Sequence, residues 1–432
     1  MTTLTNRAAD LAINGGTPVR QRPFPSWPVW GDEERRNLTA VLESGKWWRG
    51  AYHSGELDQS AVDDSNRSLV EIFEQKFAAM HGARHGLAVT SGAAALEVAV
   101  RAVGIGPGDE VITTPYTMVA TSLCVLNSFA IPVYADIAPH DYNIDADQLE
   151  SLVTERTRAI VIVHFGGQLC DMEQICAVAR KYGLRVIEDA AHAHGVMDHA
   201  GRCAGAFGDI GCFSFQAAKN LATGEGGMVI TNDKELYDRC FSIHHYGRRP
   251  GELWYKHFMT GWNYRMNEFT AAVGIPALQR LHQQNELRQA NCDYLTAGLA
   301  RIPCLTPITD TRRQRRHSRH LVIIRYDRAK NDGVHRDDLI KALVAEGIPA
   351  MAGYTFPNYA NPLFYDQETK DRFKAAGIDF PDYSVYRERC PNVERACNEE
   401  AIWLEHRLLL GTREDMDDII TAFTKVTAAL GG

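Results

Sequence analysis

Between residues 85 and 231 the chain alternates short apolar runs, rich in β-branched residues, with segments of helical length, and this alternation leaves few folds open. "GLAVTSG" runs into "AAALEVAVRAVG", "DEVITTPYT" precedes "VATSLCVLNSFA", and "PVYADI" precedes "DADQLESLV". "RAIVIVHFGG" then precedes "DMEQICAVARKYG", and "LRVIEDAA" follows. Strand-length and helix-length segments in this order predict βαβ units, hence an α/β fold with a mostly parallel central sheet and helices on both faces. The pair "GCFSFQ" and "GEGGMVITN" adds strands, and a helical region from about Asn267 to Leu299 closes a large domain placed at residues 61–300. Residues 1–60, with "RPFPSWPVW" and "SGKWWRG", are expected to form an arm with one helix that packs with the small domain. After "RIPCLTPITD" the pattern changes, and residues 301–432 are expected to form a smaller α+β C-terminal domain.

Charge narrows the partners. Forty-six Lys and Arg against 54 Asp and Glu leave a net charge of -8, which gives no electrostatic case for nucleic acid or an anionic membrane. The one basic run, "RRQRRHSR" from Arg312, is expected to be a solvated loop before the strand-like "LVIIRYD". The N-terminal "MTTLTNRAADLAINGG" has no continuous apolar core of a secretory signal, and no apolar stretch approaches the length of a membrane span. Ten cysteines without CxxC spacing read as reduced thiols, so a cytoplasmic location is expected.

Residues 212–230 read "CFSFQAAKNLATGEGGMVI", which sets Lys219 between two runs that look buried. An ammonium is costly to bury unless it is paired, deprotonated or covalently changed. A lysine on a surface loop is the ordinary alternative. Ligands of open α/β sheets collect at the carboxyl ends of the strands, and the distinctive residues fall there. Asp189 ends "LRVIE", and Ser91 and Gly92 end "GLAVT" and with Ala93 open a helix whose first amides suit a phosphate. Tyr116 follows "DEVITTP", and Ser214 precedes Lys219.

An amine, an acid, an aromatic plate and a phosphate cradle at one sheet edge fit pyridoxal 5'-phosphate. Lys219 would form the Schiff base, and Asp189 would hold the pyridine nitrogen protonated so that the ring acts as an electron sink. Tyr116 would cover a ring face, while Ser214 and the turn at Ser91, Gly92 and Ala93 would hold the phosphate. Singly, each residue has an ordinary reading: a helix cap for the acid and the serine, packing for the tyrosine, a turn for Gly224, Gly226 and Gly227. Their joint order, with the lysine about 30 residues after the acid, favours the cofactor.

The blocks "EDAAHAHG", "FSFQAAKNLATGEGGMVITND" and "GWNYRMNEFTAAVG", with "SGAAAL" and "DEVITTPYT", resemble those of the DegT/DnrJ/EryC1/StrS aminotransferases, which have fold type I. The resemblance covers nearly the whole chain and includes the pattern S-F-x-x-x-K followed by G-E-G-G. It implies that Lys219 is the Schiff-base lysine, Asp189 the pyridinium partner and Ser214 a phosphate ligand. His192 is implied to meet the cofactor near its 3-hydroxyl. Asn263 is implied to reach the phosphate held by a neighbouring subunit, and hence a homodimer with shared sites. A zinc hydrolase built on His192, His194 and His199 or Cys203 is the rival from another class; no further spaced ligand set supports it, and no metal is expected. A non-catalytic member of the same fold is the other rival, against which the complete set Lys219, Asp189 and Ser214 speaks.

Family members that keep histidine in place of the lysine are dehydratases, so Lys219 implies transamination. The N-terminal "INGGTPVRQRPFPSWPVWGDEE" and the C-terminal "ACNEEAIWLEHRLLLG" look most like the 2-deoxy-scyllo-inosose and scyllo-inosose aminotransferase branch. That implies an amino group moving from L-glutamine or L-glutamate to a keto-cyclitol in aminoglycoside-type biosynthesis. An NDP-ketosugar acceptor, or a chemistry like that of 3-amino-5-hydroxybenzoate synthase, is the alternative.

Overall fold

The computed structural model describes residues 9–52, 67–309 and 312–431. Seven apolar runs become the strands of one sheet: β1 (His85–Val89), β2 (Glu110–Thr113), β3 (Ile131–Tyr134), β4 (Thr157–Val163), β5 (Arg185–Asp189), β6 (Ile210–Ser214) and β7 (Gly227–Thr231). Their order is β1-β7-β6-β5-β4-β2-β3. From β3 through β6 all pairings are parallel, and β7 runs antiparallel to both β6 and β1. β4 and β6 are buried along almost their whole length, as strands covered on both faces must be.

Helices α1 (Asp32–Ser44), α2 (Leu69–Met80), α3 (Gly92–Ala102), α4 (Ala120–Leu126), α5 (Met172–Tyr182), α6 (Lys234–His244) and α7 (Glu268–Leu299) surround this sheet. One face packs Leu87, Val161 and Val229 against Val98 of α3 and Phe241 of α6. The other packs Phe213 and Met228 against Phe73 and Phe77 of α2 and Ile275 of α7. Local signals set the ends of α7, whose Asn267 side chain accepts from the Thr270 amide at 2.9 Å.

A second sheet pairs β9 (Leu321–Tyr326) antiparallel with β8 (Leu305–Ile308) and β10 (Ala401–Glu405). α8 (Arg336–Ala345), α9 (Gln367–Ala375) and α10 (Arg413–Leu430) complete the C-terminal part. α7 serves both regions: Ala271 and Ile275 lie in the large core, whereas Cys292, Leu295 and Leu299 lie in the small one beside Phe423 of α10. The N-terminal arm joins the small core through Leu11, and the Ala12 and Val19 amides donate to Glu346 at 2.9 Å each. Arg20, almost fully buried, bonds Asp415 and Asp418 at 2.7 Å each.

The basic run departs from expectation. Gln314, His317, Ser318, Arg319 and His320 are buried, Arg313 pairs with Asp141 at 2.6 Å, and Arg319 bonds Asp293 at 3.0 Å. A loop was expected to be solvated because its charge is high. Arg312 and Arg315 do face solvent, but the second half of the run is buried because the segment crosses between the two regions, where Asp141 receives Arg313 and Asp293 receives Arg319.

Candidate active site

Asp189 and Ser214 end adjacent parallel strands, with Asp189 in register with Cys212. Lys219 stands on the connection from β6 to β7, whose strands remain paired up to Ser214 and Gly227. The connection is itself a hydrogen-bonded extension: Phe215 N donates to Gly226 O at 2.8 Å and Ala217 N to Gly224 O at 2.9 Å. Gly224 turns it with φ +92°, a left-handed conformation that glycine adopts without strain. Distant segments fasten it from outside. Trp27 Nε1 donates to Ala217 O at 2.9 Å, His406 Nε2 lies 3.0 Å from Ala218 O, and Asn220 Nδ2 donates to Ser318 O at 2.7 Å.

The amine is half-buried. Burial pushes the Lys219 ammonium down to about 8, while the Asp189 carboxylate pulls the other way. Asp189 is 5% exposed, and burial raises its carboxyl. Two donors resist that rise: Thr121 Oγ1 donates to Oδ2 at 2.9 Å and the Ala191 amide to Oδ1 at 3.1 Å. His192 Nδ1 accepts from the Gly166 amide at 3.3 Å, and its ring stacks on His320 with centroids 4.0 Å apart. Burial first, and Lys219 after it, hold His192 well below the ordinary histidine value. The site thus sets a readily deprotonated amine and a neutral imidazole near a buried carboxylate.

The start of α3 reaches the same edge. Ser91 Oγ accepts from the Ala94 amide at 3.1 Å, and Ala95 N donates to Ser91 O at 3.0 Å as the first backbone bond. The amides of Gly92 and Ala93 therefore precede the helical ladder at its positive end, where an oxyanion is stabilised. A Cβ on Gly92 would stand 2.6 Å from Ser214 Cβ, and one on Gly227 2.4 Å from Ser91 O. Only glycine permits that approach, which brings Ser91, Gly92, Ala93 and Ser214 into one cradle. Free amides at a helix start, a hydroxyl, an amine of lowered pKa and a buried acid fit the phosphate, aldehyde and ring nitrogen of pyridoxal 5'-phosphate.

One expected site residue has no open face, and another was expected at a neighbouring subunit's site rather than its own. Tyr116 has no exposed surface; its ring packs against Tyr142, Phe165, Tyr354 and Trp403 at centroid separations of 4.9–5.9 Å. With no face open it is a wall residue rather than a plate over a ligand, and the exposed side chain on that connection is Met118. Asn263 is exposed and borders a separate cavity of about 230 Å³ with Trp48, Arg49, His245 and Arg265. It is not brought to Lys219 of its own chain.

Among the described residues no group of three His, Cys, Asp or Glu side chains is placed to hold a metal. His194 and Cys203 have backbone partners instead, Ser214 O at 2.9 Å and Met80 O at 3.6 Å. Sequence reasoning missed Thr121, Asn220, His320 and His406. Thr121 lies in the first turn of the helix that follows β2, and a hydroxyl at that place was a usable signal. The two histidines carry none, since each arrives from the C-terminal region.

The profile of the DegT/DnrJ/EryC1/StrS aminotransferase family matches residues 30–424. A Micromonospora echinospora protein, provisionally named an L-glutamine:3-amino-2,3-dideoxy-scyllo-inosose aminotransferase, is 36% identical over 98% of each chain. The L-glutamine:2-deoxy-scyllo-inosose aminotransferase of the same organism is 34% identical over 97% of this chain and 98% of its own. The crystal structure of 3-amino-5-hydroxybenzoic acid synthase superposes with a TM-score of 0.81 at 32% identity, covering 95% of this chain and 99% of that one.

Proposed function

The chain belongs to the DegT/DnrJ/EryC1/StrS aminotransferase family, and from that premise we propose that it transfers the amino group of L-glutamine, or of L-glutamate, to a keto-cyclitol of the scyllo-inosose type. It is a pyridoxal 5'-phosphate-dependent aminotransferase of fold type I. The observation that carries the reading of the site is Lys219 itself, an amine brought to about 8 on a fastened loop beside Asp189. The relatives similar along nearly the whole chain support the acceptor class.

When bound, pyridoxal 5'-phosphate supplies a conjugated electron sink for the pair left at the donor's Cα. Lys219 Nζ, neutral in a large fraction of molecules near pH 8, takes the proton from that Cα and holds it for return. Asp189 would hold a proton on the ring nitrogen, and the Thr121 and Ala191 donors favour the ionised carboxylate that this requires, against the burial that raises it. The amides of Gly92 and Ala93 with Ser214 would hold the phosphate, and His192 would meet the cofactor near its 3-hydroxyl. Tyr354, half-buried and packed against Phe165 and Trp403, would offer its open part to a C–H face of a cyclic polyol.

A homodimer completes the proposal. Leu253, Tyr255 and Trp262, at 80%, 85% and 64% exposed, are large apolar side chains left to solvent, which supports an interaction surface here. Asn263 follows directly and would point across a two-fold axis to the partner's phosphate site. Purified protein assayed with L-glutamine against keto-cyclitols and NDP-4-ketosugars tests the acceptor. Turnover of the cyclitols is expected; turnover confined to the nucleotide sugars overturns it.

A further inference from the structure

Asn220 follows Lys219 directly and is buried, so both ends of its amide need partners. Nδ2 donates to Ser318 O at 2.7 Å, and Oδ1 lies 2.7 Å from His320 Nδ1. A carbonyl only accepts, which fixes the orientation of the amide. Oδ1 is then an acceptor, and His320 Nδ1 carries the hydrogen it receives. Burial first, and His192 after it, hold the His320 ring well below the ordinary histidine value, so the ring is neutral and its Nε2 is a bare lone pair.

Both partners of the amide belong to one tripeptide, Ser318-Arg319-His320, and the same tripeptide holds the turn after β5. Ser318 Oγ donates to His192 O at 2.6 Å, and the His320 ring stacks on the His192 ring with centroids 4.0 Å apart. Gly167 leaves room for the serine, since a Cβ there would collide with Ser318 Oγ. Arg319 between them has φ +49°, a left-handed conformation that few side chains adopt. It is pinned on two sides: its amide donates to His317 Nδ1 at 2.8 Å, and its Nη2 to Asp293 Oδ1 at 3.0 Å. Backbone held in such a conformation gathers at functional sites.

The pairing of β5 with β6 runs to Asp189 and Cys212. Lys219 and His192 lie beyond it, so sheet register does not set one against the other. Their spacing matters because the aldehyde carbon and the 3-hydroxyl of pyridoxal 5'-phosphate sit on adjacent ring carbons. We propose that Asn220 and His320 are positioning residues for the amine: the Nδ1–H···Oδ1 bond between them ties the residue after Lys219 to the tripeptide that holds His192. One segment then sets the amine and the imidazole together. The bond stands on geometry alone; its consequence for turnover rests on Lys219 carrying the cofactor.

Nitrogen-15 spectra of the cofactor-free protein at neutral pH, with His320→Phe to assign the signal, test the bond. Hydrogen on His320 Nδ1 and none on Nε2 is expected in the wild type, with a shift towards Nε2–H in Asn220→Ala. Hydrogen on Nε2 in the wild type, or a tautomer that ignores Asn220→Ala, overturns the proposal whether or not the protein is an aminotransferase. Single-turnover mixing of the loaded enzyme with L-glutamine tests the consequence, since a rate constant does not depend on how many molecules are folded. His320→Phe keeps a ring to stack on His192 but loses the donor, and is expected to slow the reaction at least about tenfold. His320→Asn, whose Nδ2 hangs from Cγ as Nδ1 does, is expected to recover most of that loss. Adding His320→Phe to Asn220→Ala is expected to slow the single variant by less than about threefold, because one bond is lost in both. A wild-type rate in His320→Phe, no recovery in His320→Asn, or losses that multiply in the double variant overturn the positioning role.

Discussion

Burial lowers the Lys219 ammonium from its ordinary value of about 10.4 in an unfolded chain to about 8. Between those values the unfolded chain binds more protons than the folded one, and stability rises with pH. Below pH 8 the penalty is fully present, at most about 3 kcal/mol. The cofactor-free wild type should therefore melt below a Lys219→Met variant at pH 7, and calorimetry should show the gap closing as pH rises towards 10. A gap independent of pH would mean that the amine is not desolvated. Asp189→Asn tests the other half of the pair. The amide keeps the shape but cannot hold a ring-nitrogen proton, so turnover should fall at least about a hundredfold while circular dichroism stays native. Near-native turnover in that variant would remove Asp189 from the chemistry.

The start of α3 and the β6–β7 connection work as one unit because two glycines let them touch. Gly92→Ala places a methyl 2.6 Å from Ser214 Cβ, closer than any side chain tolerates. Overpacking of this kind costs about 1–3 kcal/mol, and the cradle, not the core, has to yield. The variant should fold, with a pyridoxal 5'-phosphate dissociation constant raised at least about tenfold, read by fluorescence titration. Gly106→Ala, at an open position where a Cβ meets nothing within 4 Å, is the control and should bind as wild type does. Equal loss in both variants would show that affinity follows general stability instead.

For the whole molecule the decisive question is whether a site draws on two chains. Light scattering should give twice the chain mass. On the shared-site reading Asn263→Ala would remove one hydrogen bond to the phosphate, worth roughly 1.5–3 kcal/mol, and should weaken cofactor retention without emptying the site. Mixing it with inactive Lys219→Ala sharpens the test. In the mixed dimer, the intact Lys219 of the Asn263→Ala chain receives Asn263 from its Lys219→Ala partner, so one wild-type-like site should reappear. Mixed dimers that bind no better than the Asn263→Ala parent would rule out the exchange.

The alternation of strand and helix, and the place of Ser91, Asp189 and Ser214 at strand ends with Lys219 on the connection that follows, were legible in the sequence. Each is encoded locally, by a period of two or 3.6 or by a residue type at a strand end, and strand ends of a parallel sheet converge on one edge whatever else the chain does. Tertiary structure alone decided the rest. Trp27 meets Ala217 across 190 positions, His406 meets Ala218 across 188 and Ser318 meets Asn220 across 98. No window of sequence carries such a meeting. The same reason drew the second half of a basic run inside and left Tyr116 without an open face: burial is set by what the other elements bring to a residue, and charge or aromaticity states only what that residue will then require.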